Sequence, residues 1–116
     1  MASLKIHGGH RLQGEITPQG AKNEAMQILC ACLLTEEKVT IHNLPDILDI
    51  NNLIDLLDED GLGVSVERPT RHDITLQAKD INFDYFQSDD FAQKAARLRG
   101  SVMMTGPMLA RFGKAY

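Results

Sequence analysis

The sequence predicts an α/β fold, one βαβαββ unit followed by the first helix of another. Three observations carry this reading. Short stretches of alternating apolar residues take turns with stretches of helical period. One of the helices is apolar on nearly every side, so it needs covering on nearly every side. The last two strands are close enough in sequence to form a hairpin, which makes the sheet mixed.

The elements follow in order. Leu4, Ile6, Leu12 and Ile16 alternate with polar residues around Gly8-Gly9, which predicts two short strands joined by a tight turn. Pro18 and Gly20 punctuate the exit. Residues 21–35 predict a helix in which, from Ala25 to Leu34, only Gln27 is strongly polar. Val39, Ile41 and Leu44 predict a strand closed by Asn43-Leu44-Pro45. Asp49 is then placed to cap a second helix. Its Ile50, Leu53, Ile54 and Leu57 recur at i, i+3, i+4 and i+7, and Gly61 suits its C-terminus. Val64 and Val66, a turn at Pro69-Thr70-Arg71, and Ile74, Leu76 and Ala78 predict the hairpin. Residues 80–90 read as acidic and irregular. A third helix is expected from about Gln93 to Phe112, interrupted near Gly106-Pro107, where proline removes a hydrogen bond. Phe112 to Tyr116 reads as the entrance to a loop. The chain thus divides into N-terminal strands (1–19), a first unit (20–90) and the first helix of a second unit (91–116).

With 116 residues the chain has the length of one domain, and its 43% apolar content is enough for a core. No run of about 18 apolar residues and no signal-peptide pattern is visible, so neither a membrane nor secretion is expected. Cys30 and Cys32 are two apart on a helix and point in different directions. They are expected to be reduced, buried and uninvolved in metal binding, as in a cytoplasmic protein. Net charge is −4, but residues 1–90 hold 7 basic and 16 acidic side chains, and residues 91–116 hold 5 basic and none acidic. Such a chain is not expected to bind nucleic acid. Its basic end could hold a small anion or could be a solvated helix face.

Two stretches carry chemistry. In Gly20-Ala21-Lys22-Asn23 a cation stands in the first turn of a helix, against the macrodipole, at a cost of about 0.3–1 kcal/mol. An anion bound there would remove that cost, because helix N-termini favour phosphate or carboxylate. Lys22 would add a point charge, Asn23 a donor and an acceptor, and Gly20 close approach to the backbone. The alternative is a lysine extended into water. In Arg97-Leu98-Arg99-Gly100-Ser101 the arginine forks suit phosphate or carboxylate, with Gly100 again permitting close approach. The alternative is a solvated helix. His7, His10, His42 and His72 show no metal-ligand spacing and no triad. Met103, Met104 and Met108 read as core filler.

The strings LKIHGGHRLQGEITPQGAKNEAMQIL, VTIHNLPDILDINNLIDLL and RLRGSVMMTGPMLARFG resemble the N-terminal part of the UDP-N-acetylglucosamine 1-carboxyvinyltransferases, within the enolpyruvyl transferase family. The resemblance runs the length of the chain. It rests on GAKN, on N-[LV]-P-x-x-x-D, and on R-x-S-x-x-x-x-G-P-x-x-A-R-F-G taken together. The shikimate-pathway relative usually has a serine-rich sequence after the lysine, where this chain has Asn23-Glu24-Ala25.

The resemblance implies an inside-out α/β barrel of two lobes, each made of three βαβαββ units, with the active site between them. This chain would supply one unit and begin the next, and its first 19 residues would pack on the opposite lobe. Lys22 and Asn23 would meet phosphoenolpyruvate, and Arg99 the UDP-N-acetylglucosamine. The catalytic cysteine would lie beyond Tyr116, so this chain is expected to hold no catalytic residue and to be inactive alone. No cofactor is implied. The reaction implied is the first step of peptidoglycan synthesis. With its siblings missing, the unit is expected to self-associate. A self-standing anion-binding or assembly module of the same fold, or a segment of the shikimate enzyme, are the other readings.

Overall fold

The β3 strand, Asp73–Gln77, is the centre of a three-stranded sheet. In this computed structural model, which describes residues 2–116, β1 (Val39–Ile41) and β2 (Ser65–Thr70) flank it, both antiparallel to it. Ile74 and Leu76 alternate inward with Asp73, Thr75 and Gln77 outward, the period-two pattern of a sheet buried on one face. On the outer face the Thr40 and Thr75 hydroxyls meet across the strands at 2.9 Å. β1 and β2 run parallel to each other but β3 lies between them, so the unit is a split βαβ. The sheet is therefore wholly antiparallel where the sequence predicted a mixed one. The hairpin turn falls at Arg71-His72, leaving Pro69 and Thr70 at the irregular end of edge strand β2, where a missing N–H does no harm.

The two N-terminal strands expected around Leu4–Ile6 and Leu12–Ile16 do not form. Residues 2–19 are exposed and enter no ladder, with Leu4 92%, Ile6 88%, Leu12 94% and Ile16 93% exposed. A strand needs a neighbour for its N–H and C=O groups, and two short strands cannot satisfy each other well enough to persist.

α1 spans Lys22–Ala31 and tightens into a 3-10 turn, Cys32–Leu34. Ala25, Met26, Leu29, Cys30, Cys32 and Leu33 are buried, whereas Ile28 and Leu34 face outward. The helix is thus covered on one side and not all round, because this chain supplies only one side of cover. α2 spans Leu48–Leu57 and buries Ile50, Leu53, Ile54 and Leu57 as expected, and Leu56 as well. Its N-cap is Ile47, with no side-chain cap, so Asp49 is not the cap but sits in the first turn. The helix stops at Asp58, and Gly61 serves the following turn, where a Cβ would overlap the Leu56 carbonyl.

The stretch read as irregular contains α3, Phe83–Phe86, capped by Asn82, whose side chain accepts from the Tyr85 N–H at 3.0 Å. α4, Asp89–Arg97, is capped by Ser88, which accepts from the Phe91 N–H at 3.1 Å. Phe86 and Phe91 meet edge to face at 4.9 Å, and Phe86 meets Tyr116 at 5.6 Å. The expected break at Gly106-Pro107 falls instead at Leu98, in extended conformation, and a 3-10 stretch, Arg99–Met104, leads into α5, Thr105–Phe112. Pro107 lies in the first turn of α5, where a helix has no use for its N–H. Gly113 ends α5 in the left-handed conformation, φ 71°.

The last quarter of the chain shares one core with the rest. Phe91, Leu98, Met104 and Met108 join the cluster that holds Leu29, Leu53 and Leu76. Arg111, 12% exposed, ties the two parts together. Its guanidinium donates to the carbonyls of Leu33 (2.9 Å), Thr35 (3.3 Å), Ala78 (2.7 Å) and Lys79 (3.3 Å), which belong to the ends of α1 and β3. No helix among the described residues is long and apolar enough to cross a membrane.

Candidate anion-binding cleft

Lys22 and Asn23 open α1, Asp49 lies in the first turn of α2, and Arg97 and Arg99 stand on either side of the break that follows α4. All five line one cleft of about 460 Å3, together with Gln27, one turn beyond Asn23. Met26 and Leu98, both buried in the core, anchor its walls. The three residues singled out from the sequence, Lys22, Asn23 and Arg99, are thus brought onto one surface across more than half the chain.

The break at Leu98 makes this possible. Residues i and i+2 of a helix face away from each other. An extended residue between them returns both to one side, as in a strand. Leu98, at φ −120° and ψ 92°, buries its own side chain and leaves Arg97 and Arg99 on the cleft. Neither arginine makes an ion pair or side-chain hydrogen bond among the described residues.

Lys22 forms an ion pair with Asp49, the two side chains being 46% and 43% exposed. The sequence reading sought the counter-charge outside the chain, yet the fold provides one within it. The cleft then holds three cations against one carboxylate. Neither α1 nor α2 has a side chain capping its N-terminus, so both present free first-turn N–H groups near these charges. The arrangement suits an anion carrying more than one negative oxygen.

The glycines act differently from what their positions suggested. A Cβ on Gly20 would overlap the backbone carbonyl of Asn43, a residue held at φ 57°. Gly20 therefore lets the chain pass the turn before α2, not a ligand approach the backbone. Gly100 makes room for the Met26 side chain, which seats α1 on the 3-10 stretch. Asp49, expected only as a helix cap, and Gln27, expected only as a polar position on the first helix, are cleft residues that the sequence did not mark as such. The signal for Asp49 was Lys22 itself, a cation at a helix start that demands a partner.

The cysteines and histidines lie outside the cleft. Burial, and then the neighbouring Cys32, pushes the Cys30 thiol up to about 12; burial pushes Cys32 up to about 11. Both stay protonated and poorly nucleophilic at neutral pH. His72 bonds the Leu44 carbonyl through Nδ1 at 2.9 Å and His42 meets Asp73 at 2.9 Å. His7 and His10 lie on the exposed N-terminal stretch. No cluster of metal-ligating side chains occurs among the described residues.

Comparison with known proteins gives a consistent picture. The family model for EPSP synthase (3-phosphoshikimate 1-carboxyvinyltransferase) matches residues 6–116. The UDP-N-acetylglucosamine 1-carboxyvinyltransferase of Bacteroides thetaiotaomicron is 56% identical over 115 residues, 99% of this chain and 26% of that protein. The enzyme of the same name from Porphyromonas gingivalis is 55% identical over 115 residues, again 99% of this chain and 26% of its own length. That from Bradyrhizobium diazoefficiens is 38% identical over 109 residues, 94% of this chain and 24% of its own. Among solved structures, the enolpyruvyl transferase NikO from Streptomyces tendae superposes with a TM-score of 0.69 at 24% identity, over 95% of this chain and 24% of that one. The chain therefore spans about a quarter (26%) of the length of the Bacteroides and Porphyromonas relatives.

Proposed function

The chain belongs to the EPSP synthase family, and from that premise we propose that it forms the N-terminal quarter of an enzyme that moves an enolpyruvyl group from phosphoenolpyruvate to the 3′-hydroxyl of UDP-N-acetylglucosamine. Names shared by relatives at 55–56% identity favour this acceptor over shikimate 3-phosphate. Such an enzyme starts peptidoglycan synthesis in the cytoplasm and so serves cell shape and division. The observation that carries the reading is the cleft in which Lys22, Asn23 and Arg99 meet.

In this reading Lys22, Asn23 and the α1 N-terminus hold phosphoenolpyruvate, and Arg99 contacts the sugar nucleotide. The cleft is one wall. The hydroxyl adds to the enolpyruvyl carbon and phosphate then leaves, which takes a general acid and base held on both sides. The opposite wall must close over the substrates to exclude water. Both cysteines are buried in the core and neither lines the cleft; the resemblance implies that the acid is a cysteine beyond Tyr116. The N-terminal stretch, 2–19, would pair with the opposite lobe. Left alone, the chain exposes Ile28, Leu34, Val102, Met103 and Leu109 and would self-associate through them.

The test joins this chain to the remainder of the Bacteroides thetaiotaomicron relative and follows phosphate release with both substrates. The chain alone is expected to match the blank, and the joined protein to turn over. Lys22→Ala should lower kcat/KM at least tenfold, since a charge-assisted contact contributes about 1.5–3 kcal/mol. Stability should hardly change. The lost ion pair is exposed, worth about 0–1 kcal/mol, and removing a cation from the helix start returns about as much. An unchanged kcat/KM would overturn the reading.

A further inference from the structure

Asp49 closes the Asn43-Leu44-Pro45 motif string but has no part in the function proposed so far. It caps nothing: α2 begins at Leu48 with Ile47 as its N-cap, and the Asp49 side chain turns to Lys22 instead. It lines the same cleft as Lys22, Asn23, Arg97 and Arg99.

We infer that Asp49 is a positioning residue for the anion site, fixing the Lys22 ammonium at the cleft wall before a ligand arrives; this rests on the anion-cleft reading above. A free lysine has four flexible bonds, and ordering it on binding costs affinity. Tethered to Asp49, Lys22 has lost that freedom already. One of the ammonium's three donors faces the carboxylate, and the remaining donors are left for a phosphate or carboxylate oxygen. Asp49 itself sits where a carboxylate is favoured, in the first turn of a helix, so it holds the lysine from a stable place.

The inference has a sign that distinguishes it from a simple charge effect. Asp49 is a negative group beside an anion site, so through-space repulsion alone says that removing it tightens binding. Positioning says that removing it weakens binding. Phosphoenolpyruvate is titrated into the joined protein described above, with the Lys22 side-chain NMR signals as the readout. Asp49→Ala should weaken the dissociation constant about threefold to tenfold, the cost of ordering one long side chain. Asp49→Glu should recover most of the loss. In a Lys22→Ala background Asp49→Ala should no longer weaken binding, because the residue acts through Lys22. The Lys22 ε-methylene signal should sharpen in Asp49→Ala as the side chain comes free.

Unchanged or tighter binding in Asp49→Ala overturns the inference, as does an equal loss in the Lys22→Ala background. If the unaltered joined protein shows no phosphoenolpyruvate-dependent shifts at Lys22, the anion reading itself falls and the inference with it. Asp49 is half-exposed and caps no helix, so its variants are expected to fold. A thermal melt of each confirms this, and Asp49→Asn, of the same size, replaces any that does not.

Discussion

Gly20 has no room for a side chain, because the obstacle is the backbone oxygen of Asn43. Gly100 has a softer neighbour, the end of the flexible Met26 side chain. Gly20→Ala is therefore expected to cost about 1–3 kcal/mol, and Gly100→Ala clearly less, in urea-midpoint measurements. Arg111 donates to four backbone carbonyls at the ends of α1 and β3, meets the Glu36 carboxylate at 3.5 Å and lies over the Phe112 ring at 4.7 Å. Lysine keeps the charge but not the planar fork. Arg111→Lys should lower stability by about 1.5–3 kcal/mol, the worth of charged hydrogen bonds lost at a mostly buried site, by the same measurement. A Lys variant as stable as the parent would show these contacts to be incidental.

At the scale of elements, the turn before α2 and the β2–β3 hairpin are sewn together by polar groups. Asp46 accepts from Asn51 at 3.0 Å and from Arg71 at 2.6 and 2.9 Å, and Arg68 donates to Asn51 at 2.9 Å. These bonds, Asn51 first and Arg71 next, hold the Asp46 carboxyl below the usual carboxylate range, as the Thr70 hydroxyl and His42 do for Asp73. A carboxyl with a lowered folded pKa adds stability that is present above its unfolded value, about 3.9. That stability is lost as pH falls through the folded value. Thermal stability should thus hold from neutrality to about pH 5 and fall below about pH 4, and Asp46→Asn should shrink that fall. A fall already under way at pH 6, or one that Asp46→Asn leaves intact, would exclude this origin. The elements also show what the sequence made legible. The stripe Ile50, Leu53, Ile54, Leu57 and the alternation Ile74, Leu76, Ala78 give their partners directly, because each is read out by one face. The break at Leu98 was not legible. Proline and glycine are strong local markers, and Gly106-Pro107 drew attention from a residue whose extended conformation is set by what it buries. α3 was hidden likewise, its aromatic contacts disguised by Asp80, Asp84 and Asp89 around them.

At the scale of the whole molecule, the cleft's charged residues were legible by chemistry, and the resemblance added which substrate each would meet. Lys22 and Asn23 were named from a cation at a helix start and Arg99 from a pair of arginine forks, and the fold then set them on one surface. The pairing of Lys22 with Asp49 was out of reach, since 26 intervening residues and a strand must fold before the two helix starts meet. The N-terminal stretch was legible as alternating sequence but not as structure, because it finds no strand neighbour among the described residues. Removing residues 2–18 is therefore expected to leave the melting temperature of this chain unchanged, since the link to the folded part, Gln19 accepting from the Asp46 N–H at 3.3 Å, is kept. A clear drop would mean that the stretch packs on the core after all.

That stretch also separates two kinds of constraint on the amino-acid sequence. Leu4, Ile6, Leu12 and Ile16 face water throughout, so in this chain any polar residue would serve as well for folding. A library of substitutions scored for the abundance of this chain should read as flat along residues 2–19 and sharply uneven from Gly20 onward. Scored for turnover in the joined enzyme, the same library should show period-two sensitivity along the stretch if those four side chains meet a sheet elsewhere. The difference between the two scores would then map an inter-lobe strand that a folding assay cannot see.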